Sequence, residues 1–378
     1  MGGDDTAGSV PVTVPLIQTS YFAFPTFRAL VEGLTAEHRH HVYSRGRNPT
    51  VEAAERKLAA LERGEACVCL GSGMAAISAV FLGLLEAGDH VLFVNHVYGP
   101  TLELAAHLRR FGIEHDVVLD GSADAVEAAL RPRTRLVWLE SPGTMLFRVV
   151  DVAAIAEAAR TRGALTCMDN SWSTPLFQKP LQAGADIVVH SASKYLAGHS
   201  DVVAGAVISR AELLERIFHR SLMLNGGVLG PFDAWLLLRG LRTLPVRMVR
   251  HEEDAIRVAR FLEGHPAVAR VHHPGMVGRG GTARDAPPGD LRGWSGLFSF
   301  ELRRATFDAV ATVIDALERF RIGVSWGGVE SQVLSPERED GAGLAARGLP
   351  HGLIRLSIGL EGADPLIEDL GRALGRLL

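Results

Sequence analysis

Only three of the 39 Lys and Arg residues in this chain are lysines: Lys57, Lys179 and Lys194. Arginine cannot substitute where a neutral, nucleophilic amine is required, because its guanidinium keeps its proton. Lys194 is the most suggestive of the three, since it follows the apolar run Asp186–His190 within Ser191-Ala192-Ser193-Lys194. A solvated surface amine is one reading; an imine-forming amine with a lowered pKa is the other. Asp169 closes the run Leu165–Asp169 and suits a helix cap, a buried salt bridge, or a fixed carboxylate that keeps a ring nitrogen protonated. Tyr98 suits simple packing or an aromatic plate over a ring. Gly71-Ser72-Gly73 opens a helical stretch, where free backbone N–H groups and the helix dipole favour an anion such as phosphate. It matches neither a Walker A loop nor a dinucleotide fingerprint. Ser191 and Ser193 suit either turn formation or added hydroxyl donors to the same anion.

These residues need elements to carry them. Between 51 and 245, short β-branched runs alternate with helical patterns. Strands are expected at Cys67–Leu70, Val91–Val94, Asp116–Leu119, Arg135–Glu140, Leu165–Asp169, Asp186–His190 and Val203–Ser209. Helices such as Met74–Glu86, Thr101–Phe111 and Val152–Arg162 fall between them. That alternation predicts a mostly parallel seven-stranded sheet in a large α/β domain. Ligands in such sheets bind beyond the carboxyl ends of the strands, where Tyr98, Glu140, Asp169 and Lys194 all fall. A long helix at Phe232–Glu263 leads to a smaller α+β region with strands Ala269–His272, Gly296–Leu302 and Leu353–Ile358. Gly275–Arg292 and Ser335–Pro350 read as loops. The expected division is an arm at 1–50, irregular throughout, a large domain at 51–245 and a C-terminal domain at 246–378.

The composition excludes several classes. A formal net charge of -4 lacks the basic footprint of a nucleic-acid binder. The longest apolar run, Met74–Leu85, is too short to span a bilayer. Asp4 and Asp5, with no Lys or Arg before Arg28, do not read as a signal peptide. Three cysteines, Cys67, Cys69 and Cys167, fit a reducing, cytoplasmic setting without disulfides. Cys67 and Cys69 alternate along one strand and share a face. His38, His40 and His41 read as a polar arm, with no metal site expected. The stretch Arg250–Arg260 reads as a solvated helix face.

The segment Ser191–Asp201 resembles the pyridoxal-phosphate lysine motif of the cysteine/methionine-metabolism enzymes, the cystathionine lyases and synthases. The resemblance covers most of the chain. It includes Tyr43-Ser44-Arg45-Gly46-Arg47-Asn48-Pro49-Thr50, Tyr98–Thr101, Asp169–Trp172, Leu238–Leu244 and Arg355–Glu361. It implies the pyridoxal-phosphate-dependent transferase fold of type I and pyridoxal 5'-phosphate as cofactor. It implies that Lys194 holds the cofactor covalently, Asp169 pairs with its ring nitrogen and Tyr98 stacks on the ring. The amides of Gly73 and Met74, with Ser191 and Ser193, would hold the phosphate. Tyr43 and Arg45 would complete the phosphate site of a neighbouring subunit, in a homotetramer built from dimers with shared sites. Arg355 would clamp the α-carboxylate of an amino-acid substrate, a bidentate task suited to Arg. Lys194 would also move the α-proton, with Tyr98 or Lys194 supplying protons to the departing sulfur.

Within the family, Ser325-Trp326-Gly327-Gly328, Glu140-Ser141-Pro142-Gly143-Thr144 and Gly296-Leu297-Phe298-Ser299-Phe300 resemble the β-lyase branch. Ser325 and Trp326 would then border the substrate, as would Tyr43. The Asn-Pro-Thr ending of the arm resembles the γ-lyases and γ-synthases instead. The resemblance implies β-elimination from cystathionine or a related sulfur amino acid, with γ-elimination or γ-replacement as the alternative. The short stretch before Val14 and the absence of a Thr-His pair in Ser335–Pro350 depart from the family pattern near the expected substrate entrance.

Overall fold

A computed structural model describes residues 10–276, 291–339 and 343–378. The seven expected strands are present: β1 (Ala66–Leu70), β2 (His90–Val94), β3 (Glu114–Val118), β4 (Thr134–Glu140), β5 (Leu165–Asp169), β6 (Ile187–His190) and β7 (Gly205–Ser209). They form one sheet in the order β1-β7-β6-β5-β4-β2-β3. Pairing is parallel from β3 through β2, β4 and β5 to β6, whereas β7 runs antiparallel to both β6 and β1. No helix lies between β6 and β7, so the chain lacks the crossover a parallel neighbour requires. Because β1 is antiparallel to β7, it runs with β6, and its carboxyl end opens on the same edge as those of β2, β4, β5 and β6.

Both faces of the sheet are covered, which explains why its strands read as nearly continuous apolar runs. Phe93, Trp138, Cys167 and Val189 pack on one face with Phe81, while Val137, Leu139 and Met168 meet Val152 and Ile155. A second sheet takes the order β10-β11-β12-β9-β8, from β8 (Val268–His272), β9 (Leu297–Leu302), β10 (Arg321–Ile322), β11 (Gln332–Leu334) and β12 (Leu353–Ser357). β10 and β11 are too short to show alternation, so the sequence pattern misses them. The long helix Pro231–Gly264 links the two sheets and continues past Pro245 without interruption. Its stretch 250–260 is less solvated than expected: His251, Asp254, Ala255, Val258 and Ala259 are buried, because that face backs the second sheet.

The N-terminal arm is not irregular throughout. Helix α1 (Phe27–Thr35) is capped by the Thr26 hydroxyl, which accepts from the Ala29 N–H. Its Phe27, Val31 and Leu34 remain exposed, leaving an apolar stripe that the described residues do not cover. Helix α2 (Pro49–Glu62) follows, with Asn48 as its cap and proline at its first position. Helices α3 (Gly73–Leu84) and α4 (Gly99–Leu108) follow β1 and β2. The expected loop Gly275–Arg292 lies largely outside the described residues, as does part of Ser335–Pro350. No helix among the described residues is long and apolar enough to cross a membrane.

Candidate active site

The shared strand edge borders a cavity of about 240 Å³ lined by Gly73, Met74, Tyr98, Asp169, Ser191, Ser193, Lys194, Trp326 and Arg355, among others. Nine sequence-predicted residues from six separate stretches thus meet in one place. The turn after β1 puts the start of α3 at its floor, where the amides of Gly73 and Met74 belong to the first turn and have no intrahelical partner. A Cβ on Gly73 would sit 2.8 Å from Ser191 Oγ and 2.9 Å from Ser191 Cβ. Glycine is therefore required for the helix start to approach that hydroxyl. The Ser191 N–H donates to Ser171 Oγ at 2.7 Å, tying the turns after β5 and β6 together. The Ser193 hydroxyl donates to Ala204 O at 3.1 Å and accepts from the Ala204 N–H at 2.9 Å.

Lys194 Nζ donates to Ser325 Oγ at 2.7 Å and stands 5.4 Å from the centre of the Trp326 ring. Burial first, and the nearby Arg355 charge second, lower its pKa to about 8, against the partial restoring effect of Asp169. Asp169 is held by the Ser171 N–H at 2.9 Å, and burial raises its carboxyl above the usual range. Arg355 is buried; its Nη2 donates to Ser325 O at 3.1 Å, and burial lowers its pKa to about 10. Tyr98 lies half-exposed at the rim, with its phenol pKa raised by burial. The site therefore offers one amine near its titration point, a partly buried carboxyl, a phenol that stays protonated and a buried guanidinium.

Ser325 anchors the Lys194 amine rather than lining the cavity itself. Tyr43 and Arg45 are not brought to this cavity within the chain. Both are exposed on the arm, where the Arg45 guanidinium lies 5.6 Å from the centre of the Tyr43 ring and Tyr43 bridges to Tyr21. Glu140 is the functional residue that sequence reasoning placed at a strand end without giving it a role. It accepts the Tyr98 N–H at 2.6 Å, and burial together with the Asp169 charge pushes its carboxyl well up. Its only sequence signal was its place at the carboxyl end of the run Arg135–Glu140; the structure adds its pairing with Asp169 across β4 and β5. The apolar wall formed by Ile77, Val203 and Val324 carried no signal, since such residues read as ordinary core.

The other candidates separate. Cys67 and Cys69 share one buried cluster and Cys167 lies in another. His41 bonds Glu52 at 2.9 Å, whereas His38 lies 3.5 Å from Glu215, so the three arm histidines do not converge.

Residues 2–375 match the family described as Cys/Met metabolism PLP-dependent enzyme. A cystathionine gamma-lyase of Bacillus subtilis (strain 168) is 40% identical over 378 residues, covering 98% of this chain and 96% of that protein. An L-methionine gamma-lyase of Fusobacterium nucleatum subsp. polymorphum is 38% identical over 380 residues, covering 97% and 94%. A cystathionine gamma synthase of Xanthomonas oryzae pv. oryzae has a similar crystal structure, with a TM-score of 0.86 and 36% identity. The match covers 97% of this chain and 93% of that one.

Proposed function

The chain belongs to the Cys/Met metabolism family of pyridoxal-phosphate-dependent enzymes, and from that premise we propose that it eliminates a sulfur substituent from the γ-carbon of an amino acid. That the protein is a pyridoxal-phosphate-dependent carbon–sulfur lyase of the trans-sulfuration family rests on family membership. The choice of γ-elimination rests on the γ-specific relatives, matched over nearly the whole chain. A second reading, β-elimination, is favoured by Trp326 beside Lys194. The division at residues 50 and 245, a cytoplasmic location and a tetramer of site-sharing dimers belong to the same proposal.

The residues present fit the cofactor. The Gly73 approach to Ser191 leaves two helix-start amides and a hydroxyl for a phosphate. Asp169 offers a partly buried carboxyl to a ring nitrogen, and Lys194 offers an amine that is partly neutral near pH 8. When bound, pyridoxal phosphate supplies an electron sink for negative charge at the substrate α-carbon.

The observation that carries the reading is the placement of Lys194. Its lowered pKa lets the amine accept the α-proton and, once that proton is passed on, the β-proton whose removal loss of a γ-substituent also requires, while the Ser325 hydroxyl fixes Nζ. Arg355 receives the substrate carboxylate, its guanidinium pinned by the Ser325 carbonyl. Glu140 fixes the Tyr98 backbone, and the protonated Tyr98 phenol at the rim donates to the departing sulfur. Water completes the balance: cystathionine and water give cysteine, 2-oxobutyrate and ammonia by γ-elimination. The β-route gives homocysteine, pyruvate and ammonia. Incubating the holoenzyme with L-cystathionine and identifying the keto acid by mass decides between them. We expect 2-oxobutyrate; pyruvate alone would establish the β-route instead.

A further inference from the structure

Away from the cavity, His38, Glu215 and His219 place one ligand atom each within 4.8 Å of the others. His38 comes from the arm. Glu215 comes from the helix Ala211–Ile217, and His219 from the π-helical turn Phe218–Leu222 that continues it. Such turns insert an extra residue into a helix, re-aim its side chains and are frequent at functional sites.

Both ring nitrogens of His38 are buried without a hydrogen-bond partner. Buried polar atoms in proteins are rarely left so, and each exception asks for a missing partner. A simple ion pair with Glu215 does not supply it. His38 Nε2 stands 3.5 Å from Glu215 Oε1, a contact that does not qualify as a hydrogen bond. That spacing matches two ligands on one tetrahedral ion, since bonds of about 2.0–2.1 Å put neighbouring ligand atoms about 3.4 Å apart. The His219 ring stands edge-on to His38 with centroids 5.2 Å apart, and being exposed it can turn toward the same point. Burial lowers the pKa of His38, which favours the neutral imidazole that a metal needs. Arg39 and Arg47 also lie near and oppose a cation. Arg47, however, is paired with Glu52, and Glu215 adds a carboxylate to the group.

We propose that His38, Glu215 and His219 form a binding site for a divalent cation of the zinc class, with water completing the coordination. The ion would fasten the N-terminal arm to the large domain.

The test is equilibrium dialysis of chelator-treated holoenzyme against Zn²⁺, with metal analysis of the protein. Wild type is compared with His38→Ala, Glu215→Gln, His219→Ala and, as a control, the exposed neighbour His40→Ala. Glu215 and His219 are exposed, so their variants keep the test valid should His38→Ala fail to fold. We expect one Zn²⁺ per chain, with affinity lowered about tenfold or more in Glu215→Gln and His219→Ala and unchanged in His40→Ala. Zinc binding unaffected by Glu215→Gln and His219→Ala would overturn the proposal, as would no zinc retained by the wild type.

Discussion

Burial strips water from the Lys194 amine and Arg355 sets a like charge near it, so the amine loses its proton near pH 8 instead of 10.5. The neutral, nucleophilic form therefore predominates above that pH and is lost below it. The rate at which the cofactor-free protein combines with pyridoxal phosphate should accordingly rise with pH, with a midpoint near 8 and a plateau above. Stopped-flow absorbance would show this; a midpoint left near that of a free lysine would contradict the electrostatic account of the site. The roles proposed for Lys194 and Asp169 were legible because each closes or follows an apolar run, and because lysine is scarce here. Ser325 and Arg355 were reached only through family resemblance, since no local pattern links residues more than 100 positions away to Lys194. The Glu140 contact with the Tyr98 backbone was invisible, because a register between parallel strands is a tertiary fact.

At the scale of elements, the two sheets meet at the Lys194 turn. Gly327 has φ +83°, and a Cβ there would stand 2.8 Å from Tyr195 N and 3.2 Å from Lys194 Cα. Its own N–H donates to Ser357 Oγ at 3.2 Å, fixing it to β12. Neither the conformation nor the approach tolerates a side chain, so Gly327→Ala should destabilise the protein by about 1–3 kcal/mol. Gly264→Ala, with open space around it, should change little. Thermal unfolding of both variants checks this, and equal melting temperatures would refute the packing argument. Strand positions in the large sheet were readable because two-sided burial leaves uninterrupted apolar runs. The direction of β7 was not, since it depends on the missing crossover rather than on composition. Helix α1 was overlooked because its apolar positions lie in a stretch rich in Gly, Pro and Thr.

At the scale of the whole molecule, the arm leaves Tyr21, Phe27, Val31 and Tyr43 exposed, an apolar surface of the kind that partners cover. A site completed by a neighbour's Tyr43 and Arg45 makes a sharp prediction. Arg45→Ala and Lys194→Ala proteins, each impaired alone, should regain up to about a quarter of wild-type activity when unfolded together and reassembled, because a mixed dimer holds one intact site. Assay of the mixture measures this, and no recovery in verified mixed dimers would mean the sites are not shared. The account as a whole turns on one atom, Lys194 Nζ. Borohydride reduction of the yellow holoenzyme, followed by peptide mass mapping, reports which amine carries the cofactor. The account predicts a pyridoxyl group on Lys194 alone; a pyridoxyl group on Lys57 or Lys179 with Lys194 unmodified would contradict it.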